Sequence, residues 1–252
     1  MNRILFESDE IKDGVVTFGG VRAEHVLNVL HGEVGQILKT GEVNGKIGTG
    51  EIVAISYEIL GSPNPHVSVR VNHTEESLKP WVDLILAPPR PRVLKRLLPQ
   101  LASLGVGQIF LVGAKKVEKD FWGATLLKEE NYRPLLIDGL MQAGTSILPT
   151  IELRRNFRKF ITDELDAVGA NHCKLIAHPY EEKEKVRREK VEVGNLKFLL
   201  AIGPEGGWTD EEVALFESHG FTRYSLGQRI LRTDTATIAL LAQLLPKDSA
   251  QI

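Results

Sequence analysis

A single cysteine in 252 residues excludes an internal disulfide. No apolar run approaches the roughly 20 residues that a transmembrane helix requires. The opening Met1-Asn2-Arg3-Ile4-Leu5-Phe6-Glu7-Ser8-Asp9-Glu10 turns acidic before a signal-peptide core forms. Together these absences point to a reducing, cytoplasmic setting with no membrane, in which Cys173 is expected to act as a small buried hydrophobe. An excess of either charge is also missing: 31 Lys and Arg stand against 33 Asp and Glu. The chain as a whole is therefore not a polycation that holds nucleic acid by bulk attraction. His172, Cys173 and His178 do not form a metal-binding spacing, so no metal is expected. Repeats and low-complexity tracts are absent as well. What remains, 42% hydrophobic and 25% charged residues, describes a globular chain long enough for one large domain or two modest ones.

Charge is unevenly spread, and so is pattern. Residues 1–72 hold 6 Lys/Arg and 9 Asp/Glu, residues 73–200 hold 21 and 17, and residues 201–252 hold 4 and 7. A footprint for a polyanion belongs in the middle third. Up to Val71 the apolar residues come in short alternating runs (Arg3–Phe6, Val15–Phe18, Gly35–Leu38, Ile52–Ile55, Val67–Val71) that read as strands. Asn44-Gly45 is a hairpin signal for a type I′ turn. Ala23–Leu30 carries one apolar helical face. The spacing predicts a small closed β-domain over residues 1–72 and, after a polar linker at Asn72–Pro80, a second domain within residues 73–252.

In that second domain nearly continuous apolar runs alternate with helical stretches. The strand candidates are Val82–Ala87, Gln108–Val112, Lys174–Ala177, Lys197–Ile202 and Thr222–Leu226. The helix candidates are Val93–Leu104, Leu126–Gln142, Phe157–Leu165, Asp210–His219 and Thr233–Leu245. Such alternation predicts an α/β fold on a mostly parallel sheet buried on both faces. Pro99 should kink or interrupt the first of these helices. Thr209 and Glu212 form a capping box, and Gly220 ends the helix they open.

Two loops stand out. Ile202-Gly203-Pro204-Glu205-Gly206-Gly207-Trp208 runs from a buried strand into a capped helix, the position at which open α/β sheets bind ligands. It is neither a P-loop nor the dinucleotide fingerprint, because no Gly-Lys-Ser/Thr follows and Glu205 takes the second glycine position. Ser225-Leu226-Gly227-Gln228-Arg229-Ile230-Leu231-Arg232-Thr233-Asp234-Thr235-Ala236 likewise leaves a strand, passes a glycine and feeds an apolar helix. The plainer readings are a tight turn for the first loop, and two surface cations and a helix cap for Arg229, Arg232 and Asp234.

The pair Ile202–Glu212 and Leu226–Ala236 resembles the two-part signature of the ribosomal RNA small subunit methyltransferase E (RsmE) family, in the SPOUT superfamily. A weaker likeness covers Glu24–Leu30, Leu104-Gly105-Val106, Gln142 and Pro149. The resemblance implies an N-terminal PUA-like RNA-binding β-barrel and a C-terminal SPOUT-type parallel sheet tied in a trefoil knot. It also implies a homodimer, the cofactor S-adenosylmethionine bound in the knot, and methylation at N3 of one uridine in the 16S rRNA of the small ribosomal subunit.

On that reading the cofactor is held by main-chain groups of Gly203–Gly207 and Leu226–Leu231. Ile202, Pro204, Leu226, Ile230 and Leu231 wall the adenine, and Gly206, Gly207, Gly227, Thr235 and Ala236 complete the binding set. Arg232 stabilises charge developing on the uracil oxygens, and Glu205 or Asp234 accepts the imide proton. His178-Pro179, at a strand end, borders the cofactor.

Several residues depart from the family pattern. Gln100 and Ser103 stand where a Lys and a Glu are usual, Lys116 where an Arg is usual, and Met141, Gln142 and Thr145 occupy the Glu-Gln-x-x-Arg segment. They leave open an RNA-binding or assembly protein of the same fold without this activity, or a methyltransferase acting on another RNA. Pro88-Pro89-Arg90-Pro91-Arg92, with Lys95 and Arg96, is a phosphate-contacting loop or a solvated proline turn. The mixed run Glu181–Lys190 reads as a solvated helix face.

Overall fold

A computed structural model of the chain describes residues 2–57, 65–178 and 197–245. Pro179 and the run Glu181–Lys190 lie outside the described residues. The chain divides into two compact units, Met1–Leu78 with Ile137–Leu148, and Lys79–Leu136 with Pro149–Ile252.

The first unit is a five-stranded sheet in the order β1-β3-β4-β5-β2. Its strands are β1 (Ile4–Phe6), β2 (Val15–Phe18), β3 (Ile37–Glu42), β4 (Ile47–Ser56) and β5 (His66–Glu75). Alternation of Val67 and Val69, both 0% exposed, with outward Ser68 and Arg70 buries one face over Phe6, Phe18 and Ile52. Between β2 and β3 the helical stretch is α1 (Gly20–Glu24) followed by a π-turn at His25–Val29.

Two local expectations are corrected here. Strand β5 runs on to Glu75, through half of the expected linker, because β4 offers it a ladder as far as Ile47↔Glu75. The turn at Asn44-Gly45 is not type I′, since only Asn44 has positive φ, +59°. It is closed by Gly45 N–H to Glu42 O at 2.9 Å. The segment Ile137–Leu148 joins this unit through Asn2 and Arg3, whose amides both donate to Met141 O at 3.0 Å.

The second unit is a six-stranded parallel sheet in the order β11-β9-β10-β6-β7-β8. The strands are β6 (Val82–Leu86), β7 (Val106–Val112), β8 (Thr150–Arg154), β9 (His172–Ala177), β10 (Lys197–Ile202) and β11 (Thr222–Tyr224). Every residue of β6 is buried, as are Phe198–Ile202 of β10, so both faces of the central strands are covered. The helices are α2 (Pro91–Ser103), α3 (Glu129–Ala143), α4 (Phe157–Asp163), α5 (Leu165–Val168), α6 (Asp210–Ser218) and α7 (Thr233–Leu244). The first half of α3 belongs to this unit and its second half to the other.

Helix α2 passes through Pro99 without a break, so of the kink or interruption expected there the interruption does not occur. Proline inside a helix costs about 3 kcal/mol. Leu94, Leu97, Leu98 and Leu101 are all buried on one face, and each contributes roughly 1.5–3 kcal/mol. Pro91 at the first turn is where proline fits. Strand β8 was not expected, because as an edge strand with Glu152 and Arg154 it lacks an apolar run. Cys173 is half-buried rather than buried, being the second residue of β9; burial still pushes its thiol up, away from thiolate chemistry.

Candidate functional site

Strand order decides which loops meet. β11 pairs with β9 (Tyr224↔Ala177) and β9 with β10 (Ala201↔Ile176), all parallel, so their carboxyl ends emerge side by side. Between the loops that leave them lies a cavity of about 340 Å³, within the range of small-molecule sites.

The first wall is the bend after β10. Gly207 N–H closes a turn on Pro204 O at 2.8 Å. Lys116 Nζ donates to Gly206 O at 2.7 Å and lays its stem along that glycine. At Gly203 the indole of Trp208 comes so near that a Cβ would lie 3.2 Å from its Cδ1 and Nε1, and 3.0 Å from Trp208 N. Trp208 is itself fixed from behind by Phe157 and Phe216, with ring centroids 5.9 and 5.1 Å away. The buried Trp208 Nε1 has no hydrogen-bond partner among the described residues. An orphan donor of this kind costs about 1–3 kcal/mol.

The capping box that orients the bend is as the sequence predicts. Glu212 Oε2 accepts from Thr209 N at 2.8 Å, and Thr209 Oγ1 accepts from Glu212 N at 3.3 Å. Glu212 Oε1 also accepts from Lys115 N at 2.8 Å, tying the loop after β7 to α6.

The second wall is the bend after β11. Gly227 turns it at φ +111°, a left-handed conformation, with its N–H held by Ser225 Oγ at 3.1 Å. The main-chain groups of Leu226, Ile230 and Leu231 make no hydrogen bond among the described residues. Ile230 is 95% exposed, unusual for so apolar a side chain beside a cavity.

Of the residues singled out from sequence, Ile202, Gly203, Pro204, Glu205, Gly206, Gly207, Leu226, Gly227, Ile230, Leu231 and Ala236 line this cavity. Arg232, Asp234 and Thr235 do not. The helical period explains the division: Thr233, Ala236 and Leu240 of α7 face the cavity, while Asp234, Thr235 and Ile238 face a smaller hollow with Arg96 and Gln100 of α2. Asp234 Oδ2 accepts from Arg96 Nη2 at 3.0 Å. Glu205 Oε2 lies 3.4 Å from Arg90 Nε. Arg232 is the exposed N-cap residue of α7, and neither it nor Arg229 has an ion-pair partner among the described residues.

Ala177, Tyr224 and Leu240 also line the cavity and lie outside the two loops read from sequence, while Ser225 and Thr233 line it from within the second loop. The rule that ligands sit beyond the carboxyl ends of parallel strands points to the first two, once β9 and β11 are known to be neighbours. His178 lines it as well, and burial, then Arg223, pushes its imidazole below the ordinary value. A wider hollow nearby sets Lys115, Arg155 and Arg158 against Glu211 and Glu212 and lacks the paired bends. Among the described residues no group of three or more His, Cys, Asp or Glu is placed to hold a metal ion. No helix there is long and apolar enough to cross a membrane.

Comparison with known proteins agrees with this geometry. A family model for RNA methyltransferase domains matches residues 75–245, the segment that carries both bends. Ribosomal RNA small subunit methyltransferase E of Treponema pallidum is 33% identical over 248 residues, covering 97% of this chain and 91% of that protein. Ribosomal RNA small subunit methyltransferase E 1 of Borreliella burgdorferi is 27% identical, covering 95% of each. Among solved structures, a putative methyltransferase of Legionella pneumophila in complex with SAM superposes with a TM-score of 0.68 at 26% identity, covering 96% of both chains. A Neisseria gonorrhoeae protein of the same name as the Treponema relative, bound to S-adenosyl methionine, shares the fold at a TM-score of 0.66, with 22% identity and 96% of this chain and 95% of that one covered.

Proposed function

The chain belongs to the ribosomal RNA small subunit methyltransferase E family of RNA methyltransferases, and from that premise we propose that it binds S-adenosylmethionine between its two bends and methylates N3 of a specific uridine in 16S rRNA. The observation that carries the reading is the cavity itself, made by the two segments in which the family signature lies. When bound, S-adenosylmethionine supplies a methyl group activated by a positive sulfur, chemistry that needs neither a metal nor a covalent enzyme intermediate.

The residues present fit such a group. Ile202, Pro204, Leu226, Ile230 and Leu231 offer apolar walls for an adenine, and the unbonded main chain at Leu226, Ile230 and Leu231 offers donors and acceptors for its edge. The rest of the work falls to positioning. Holding the uracil in line with the methyl group supplies much of the rate, and a base paired in a duplex has to be flipped out first, so an exposed loop is the expected substrate. Arg232, at the head of α7 between two cavity-lining neighbours, is assigned to the negative charge that develops on the uracil oxygens as N3 loses its proton. Arg92 and Lys95, exposed and without partners among the described residues, are assigned to RNA phosphates.

The family further supports a trefoil knot around this cavity, a PUA-like RNA-binding barrel within the first unit, and a homodimer working in the cytoplasm on the small ribosomal subunit. An assembly protein of the same fold without activity, and a methyltransferase for another RNA, are separated from this reading by one experiment. A strain lacking the gene should lose a single N3-methyluridine from 16S rRNA when modified nucleotides are mapped, and the wild-type gene should restore it. Arg232→Ala should fold normally yet lower turnover by about 10²–10³-fold. If every methyluridine in 16S rRNA persists in that strain, the reading is wrong.

A further inference from the structure

Methylation at an imide nitrogen leaves one requirement unassigned: the N3 proton must go somewhere. We propose that the imidazole of His178 is the catalytic residue that accepts it. The assignment rests on the reading that the cavity holds the methyl donor and the target uracil.

Four titratable side chains line that cavity, those of Glu205, His178, Tyr224 and Arg229. Arg229 is permanently protonated. The Tyr224 hydroxyl is engaged, donating to Gln243 Oε1 at 3.1 Å. Glu205 Oε2 is already engaged by the Arg90 guanidinium, 3.4 Å from its Nε. Asp234 is outside the cavity and bonded to Arg96. His178 alone combines the needed properties. It stands at the carboxyl end of β9, its backbone N–H fixed on Tyr224 O at 3.3 Å, and its ring has no hydrogen-bond partner among the described residues. The residue itself lines the cavity.

Burial, and secondarily the charged groups around it, hold the imidazole below its ordinary value. Burial and the cations Arg223 and Lys116 lower its affinity for a proton, while Asp210 and Glu217 act in the opposite sense and do not reverse the shift. In the step assigned to it, the uracil N3–H bond breaks and its proton passes to the imidazole nitrogen. The N3 electron pair forms the new bond to the methyl carbon as the carbon–sulfur bond breaks with its pair going to sulfur. The imidazolium then releases its proton to solvent.

The test uses the full-length protein. The His178 imidazole is titrated by NMR in the wild type, S-adenosylmethionine affinity is measured by calorimetry, and single-turnover methyl transfer to 16S rRNA is followed against pH for wild type, His178→Gln and His178→Asn. We expect the wild-type rate to rise with pH and level off at the imidazole pKa read by NMR, below 6.5. Both variants should bind S-adenosylmethionine within about threefold of wild type, transfer at least about 100-fold more slowly, and lose that break. Three results overturn the proposal: transfer by either folded variant at the wild-type rate with the same break, a fall in cofactor affinity as large as the fall in rate, or a wild-type imidazole that titrates above 6.5. The last needs no variant to fold. Absence of binding by the wild type would instead remove the cavity reading beneath it.

Discussion

At the scale of single residues the site is set by what Gly203 and Gly227 lack. A methyl group at Gly203 meets the Trp208 main chain at 3.0 Å, and that indole is held by Phe157 and Phe216, so it has little room to retreat. Gly203→Ala should therefore weaken S-adenosylmethionine binding about tenfold, equivalent to ~1.4 kcal/mol, as read by calorimetry. Unchanged affinity would show that the bend is not the cofactor's wall. Gly227→Ala meets no neighbour but must hold φ +111°, a strain of about 1–2 kcal/mol. That loss should appear in Tm as well as in affinity. Both glycines were legible in the sequence because turn chemistry is local. The isolation of His178 was not, because its freedom from partners depends on β9 lying between β10 and β11, an adjacency that no local pattern encodes.

At the scale of elements, α6 and α7 aim the two bends. Thr209 and Glu212 were readable as a capping box from their spacing. Thr209→Ala should cost about 1 kcal/mol of stability. Glu212→Ala should cost more, because its carboxylate also holds the Lys115 N–H across 97 residues of sequence and is only 5% exposed. Equal losses in urea melts of the two variants would contradict that second role. For α7 the apolar composition announced a helix, but not which face meets the cavity. The period of the helix turns Asp234 and Thr235 toward α2, where the Arg96 ion pair is too exposed to contribute more than about 1 kcal/mol. Strand β8 escaped notice for the complementary reason: an edge strand needs no apolar run, and Gln108↔Thr150 pairing with β7 is a non-local fact.

At the scale of the molecule, the alternation of apolar runs after residue 80 was enough to predict a parallel α/β sheet, while the strand order, which makes the cavity, became visible only in the fold. Between pH 4 and 7, His73, His178 and Glu10 act on stability with one sign. His73 and His178 are held below the ordinary histidine value by burial, so below about pH 6.5 the unfolded chain takes up protons that the folded chain refuses. Glu10 is held below the ordinary glutamate value, chiefly by its hydrogen bond from Arg22, so its contribution is complete above about pH 4.5 and is lost as pH falls through the folded value. Tm should therefore fall steadily as pH drops from 7 to 4 in calorimetric scans. A plateau or a rise between pH 6.5 and 5 would contradict the histidine assignments.

The claim on which all three scales depend is that the bends after β10 and β11 together hold the methyl donor. It is tested most directly by a crystal of the protein soaked in S-adenosylmethionine. The donor should lie between Gly203–Gly207 and Leu226–Leu231, its adenine against Ile202, Pro204 and Leu226 and bonded to the main chain of the second bend. A donor bound elsewhere, or a cavity still empty at saturating concentration, would contradict it.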